Sequence, residues 1–181
     1  MPLRADSHKS TPPTDCAFMY PLAHLSLHGA PTAGVLALVP PLLALAQETS
    51  APVVSNAALV HHTITSRWFV GAVFAPISNV WQQQSILDYL HVHHEPTLRD
   101  MAPTAPDLSD SYDPSPLEIP HFGSGLYSEA PAYAWDTPFL IEALSSNLAL
   151  QKLAHVNAKS LHSWFQRQWT ASTGEVDAAT S

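Results

Sequence analysis

Charge is what this chain has least of. Its 181 residues include seven Lys or Arg and fifteen Asp or Glu, 12% in all, against about 25% in an ordinary soluble domain. Lysine is down to three residues. With so few bases and a formal net charge of −8, no basic face for nucleic acid is visible, because such binding draws on clustered Lys and Arg. Cysteine is nearly absent too. A lone Cys16 excludes an internal disulfide and a cysteine metal cluster. No Asn-x-Ser/Thr acceptor follows Asn56, Asn79, Asn147 or Asn157, so nothing hints at glycosylation.

The charge that is present is unevenly placed. From Cys16 to His94 only Glu48, Arg67 and Asp88 are charged. Such a stretch cannot supply an ordinary soluble surface, so uncharged polar groups, a partner or a lipid must cover it. Between Glu95 and Glu142 lie nine acids and one base, Arg99, which account for the whole net charge. This segment is rich in the chain's seventeen prolines. Proline-rich chain is pre-extended and docks at a lower entropic cost, so we expect an arm laid on a neighbouring subunit.

With 46% apolar residues the chain has enough hydrophobic material for one domain with a core. The expected fold is α+β, helix-dominated, with much irregular chain. "GVLALVPPLLALAQ" predicts a helix near 33–47, kinked at Pro40-Pro41. A membrane span there is not expected, because the prolines interrupt a run shorter than about 20 residues. The Val, Ile, Thr, Trp and Phe of "VHHTITSRWFVGAVFA" favour a strand near 60–75, bent at Gly71 and ended by Pro76. Ser78 or Asn79 can cap a helix near 79–93, which Pro96 stops. A long Pro-rich acidic loop follows over 95–135. Asp136 or Thr137 and Pro138 open a helical segment near 138–169, which "SSN" at 145–147 divides. The organisation expected is an N-terminal arm over 1–16, one domain over 17–169 and a tail over 170–181. A stripe of Leu153, Leu161, Trp164 and Phe165 should be buried.

Candidate chemistry centres on "HVHHE", His91, His93, His94 and Glu95. Zinc needs ligands converging from several sides. On a helix His91 and His94 share a face and His93 does not; on a strand His91 and His93 share one. Neither geometry collects all three, so histidines near a helix C-terminus, where the dipole favours positive charge, are the simpler reading. No cofactor is expected. Aromatic residues are enriched at interface hot spots, which makes Tyr133, Trp135 and Trp169 the candidate contacts with protein partners.

Low charge, abundant Pro, Ala, His and Thr, and loops such as "HVHHEPTLRDMAPTAPDLSDSYDPSPLEIP" and "SEAPAYAWDTP" give the chain a style. It resembles structural proteins of icosahedral virus shells, those of fungal double-stranded RNA viruses in particular. The resemblance implies a non-enzymatic structural subunit, a capsid or capsid-decorating protein, found in the virion or host cytoplasm. Two alternatives stand beside it: a small metal-dependent hydrolase using His91, His93 and His94, and a membrane-associated accessory subunit of an organellar complex.

Overall fold

A computed structural model describes residues 13–54, 56–94 and 129–167. Among the described residues there are seven α-helices and a two-stranded antiparallel sheet, which makes the chain α+β and helix-dominated. In chain order the helices are α1 (Pro13–Gly29), α2 (Pro31–Glu48), α3 (Ala57–Val80), α4 (Gln84–Tyr89), α5 (Thr137–Ser145), α6 (Leu148–Ala154) and α7 (Ala158–Phe165). Strand β1 (Val53–Val54) pairs with β2 (Glu129–Ala130), Val53 opposite Ala130.

Helix α3 is the axis of the fold, and it corrects the strand expected near 60–75. Every residue from Thr63 to Gly71 is buried, as in a helix covered on all sides. Helices α1, α2 and α4 and both strands pack against it. Strand propensity is a weak, context-dependent preference, and here burial overrides it. The overlooked signal is Asn56, whose side chain accepts a hydrogen bond from the Leu59 N–H at 3.1 Å and caps α3. Pro76 does not end the element, which runs on to Val80. Ser78 is inside α3, its hydroxyl donating to the Phe74 carbonyl at 2.7 Å, so the next helix starts later than expected, at Gln84.

Helix α1 starts at Pro13, inside the region expected to be an irregular arm. It turns into α2 within two residues, and the helices meet closely at Gly34. A Cβ on Gly34 would lie 2.9 Å from the Ser26 carbonyl oxygen, so only glycine fits this approach.

Helix α2 continues through Pro40 and Pro41 rather than breaking there. Pro40 has no N–H, so the Leu36 carbonyl four residues earlier loses its helical donor. The Trp164 indole N–H donates to that carbonyl at 2.9 Å and fills the gap. This relation predicts a coupling. Trp164→Phe keeps an aromatic ring, removes the N–H, and should cost about 1 kcal/mol in urea unfolding. In a Pro40→Ala background, where the helix supplies its own donor, the same change should cost almost nothing. Equal costs in both backgrounds would show that the indole has no such role.

The segment expected as a helix near 138–169 is three short helices. Asp136, Asn147 and Asn157 each accept from the backbone N–H three residues on, at 3.0, 2.8 and 2.9 Å. His155 takes a left-handed conformation, φ 55°, that closes α6. The turn breaks the expected stripe. Leu161 and Phe165 are buried, whereas Leu153 and Trp164 are 60% and 37% exposed.

Candidate functional site

The most constrained polar group in the described structure is Arg67. It lies mid-way along α3, 2% exposed, and its guanidinium is spent on backbone carbonyls. Nε donates to the Thr49 oxygen at 2.7 Å, Nη2 to Ala51 at 3.0 Å and Nη1 to Pro131 at 2.7 Å. Thr49 and Ala51 follow the C-terminus of α2, where helix carbonyls lack partners and the dipole is negative. Pro131 follows β2. One side chain therefore ties α2, the turn into β1 and the chain after β2 to the central helix. Burial pulls its pKa below the ordinary value, and the Tyr133 phenol acts in the opposite direction. The Tyr133 ring lies 5.8 Å from the guanidinium carbon, within cation–π range.

Beside this node is an aromatic cluster that absorbs the histidine-rich turn. After α4 the chain widens into one π-helical turn, Leu90–His94. The turn separates the three histidines. His91 and His93 are exposed, whereas His94 is 7% exposed and directed inward. Its ring lies against Gly71 of α3, where even a Cβ would overlap it. Trp135 covers it at 4.9 Å between centroids and Tyr133 meets it edge-on at 6.1 Å. The Tyr133 hydroxyl donates to the His93 carbonyl at 3.2 Å and lies 3.5 Å from His94 Nδ1. Burial pushes the pKa of this hydroxyl far above that of an ordinary phenol, so it stays protonated in the fold. Tyr89 is raised by burial as well, and its oxygen accepts from the Asp136 N–H at 2.9 Å.

The three histidines thus do not converge, and among the described residues no group of three His, Cys, Asp or Glu could hold a metal ion. Glu95 lies outside the described residues. Tyr133 and Trp135, expected at an interface, are core residues at 9% and 7% exposure. The reason is extended backbone: Tyr133 and Trp135 point inward while Ala132 and Ala134 point out, the two-residue alternation of a strand-like segment. Trp169, the third contact candidate, lies outside the described residues, as do the 95–128 part of the acidic arm and the tail. Gly71 was expected to bend a strand; its role is to make room for His94.

Two grooves flank these elements. One, of about 380 Å³, is lined by Tyr89, His93, Tyr133, Ala134, Asp136 and Phe139. The other, of about 610 Å³, lies across α6 and the start of α7 and is lined by Leu148, Gln151, Lys152, His155, Val156, Asn157 and Ser160. The described clusters are buried ties that hold segments, with open faces beside them. Protein-family models, curated proteins and solved structures provide no match to this chain.

Proposed function

We propose that this chain is a non-enzymatic structural subunit of a large assembly, of the capsid or capsid-decorating kind. The observation that carries the reading is the surface of the first three helices from Met19 onward. From Met19 to Val80 the charged residues are Glu48 and Arg67, and Arg67 is buried. Among Asp, Glu, Lys and Arg, Glu48 is thus the one side chain that these 62 residues present to the outside. On α1, Met19, Leu22 and Leu25 are 47%, 62% and 53% exposed. Their spacing of three puts them along one side of the helix. An apolar stripe on so charge-poor a surface fits burial against a partner.

The test is the size of the particle in which the chain travels. Chromatography of native material should find it in a species far larger than 19.6 kDa, and Leu22→Glu with Leu25→Glu should release a folded, free chain. Elution of the native protein as a free chain overturns the reading.

A second reading rests on α2. It is long and apolar enough, by length and composition, to cross a membrane, and only a third of it is buried inside the chain. Flotation of the purified chain with neutral lipid vesicles separates the two: comigration supports membrane association, and a chain left at the bottom supports a protein partner.

A further inference from the structure

Charge in this protein is segregated, and one groove matches the other half of the segregation. From Ala143 to Arg167 there are three bases, Lys152, Lys159 and Arg167, and no acid. Apart from buried Arg67 these are the Lys and Arg of the described residues. The 610 Å³ groove lies in this region. Its lining includes Lys152 and His155 together with Leu148 and Val156, which are 78% and 39% exposed. Leu153, 60% exposed, stands beside it on α6. A groove with a lysine beside exposed aliphatic groups calls for an occupant that carries acidic and apolar residues together.

We propose that this groove receives the acidic proline-containing segment 107–118 of a second copy of the chain. The proposal rests on the assembly reading above and names one of its contacts. The segment reads "DLSDSYDPSPLE". Asp107, Asp110 and Asp113 recur in it at every third position. Leu108, Pro114 and Leu117 are interleaved with these acids. The acids complement Lys152 of the groove and exposed Lys159, which stands between the lining residues Asn157 and Ser160, and the apolar residues cover Leu148 and Val156. An arm from one copy in the groove of the next is a heterologous contact, which builds rings or extended arrays rather than closed pairs. Its polar part weakens with salt, because the lysines are at the surface.

The experiment mixes isotopically light and heavy full-length chains and treats them with a carbodiimide. This reagent joins a lysine amine to a carboxylate only where the two are in contact. Mass spectrometry should find Lys152 and Lys159 joined to Asp107, Asp110, Asp113 or Glu118, with mixed-isotope pairs in statistical proportion. Lys152→Glu with Lys159→Glu should abolish these pairs and lower the self-association seen by sedimentation, leaving the melting temperature unchanged. Lys152→Arg with Lys159→Arg should lose the cross-links, since arginine does not react, and keep the association. Pairs of a single isotope only would place the segment in its own chain's groove and overturn the proposal. Links from these lysines to other carboxylates, or none at all, also overturn it. A large native particle without mixed pairs would sink this contact and leave the structural-subunit reading standing; a free native chain would sink that reading itself.

Discussion

Arg67→Met should be the most damaging single substitution in the core, lowering the unfolding free energy by roughly 3–5 kcal/mol. Methionine fills much of the same space and removes the charge. What it cannot replace is three hydrogen bonds, to Thr49, Ala51 and Pro131. The bond to Thr49 is buried and the other two are partly so, and a fully buried carbonyl left without a donor costs about 1–3 kcal/mol. Removing the desolvated charge returns part of that sum, which keeps the total below the largest estimate. The loss is a sizeable share of a stability that is typically about 5–15 kcal/mol. Arg67→Lys should recover only part of it, because an ammonium lacks the planar fork that reaches three separate segments. Chemical unfolding of the three proteins checks this. A methionine variant within 1 kcal/mol of the parent would mean that water, not the guanidinium, satisfies these carbonyls.

Gly71→Ala should destabilise the protein by about 3 kcal/mol, at the upper end of what overpacking usually costs. In an open helix this change is favourable by about 1 kcal/mol, so the sign itself is informative. The cause is a single neighbour. The new methyl overlaps the His94 ring, which Trp135 and Tyr133 hold in place from the other side. The double variant Gly71→Ala, His94→Ala should therefore be more stable than Gly71→Ala alone. Calorimetric melting of the two single variants and the double variant measures the coupling. Simple addition of the two costs would show that the glycine and the histidine are not in contact. The same cycle separates this structural role of His94 from a metal role, because adding zinc should leave all four melting temperatures unmoved.

Much of the local organisation was legible in the residues. The caps at Asp136 and the break at 145–147 follow from side-chain oxygens that reach backbone N–H groups, an interaction confined to a few positions along the chain. The helix-dominated class follows from the same kind of signal. The central helix was not legible, because β-branched and aromatic residues suit a strand or a fully buried helix alike, and a helix buried on every side has no polar face to show its period. Tyr133 and Trp135 suggest contact residues by sequence because they are aromatic. Aromatic side chains serve cores and interfaces equally, and the alternation with Ala132 and Ala134 is the cue that distinguishes them.

The sequence by itself determined the charge economy of this protein, the acidic proline-rich segment, the absence of a disulfide framework and the sites where short helices begin. These are properties of composition or of contacts three or four residues apart. Only the tertiary structure decided which polar groups act together. Arg67 meets carbonyls 16, 18 and 64 positions away, and Trp164 repairs a proline gap 128 positions away. His94 leaves the histidine cluster to sit on a glycine of another helix. Contacts of that range depend on how whole helices pack, and one-dimensional spacing does not encode which partner a buried donor will find.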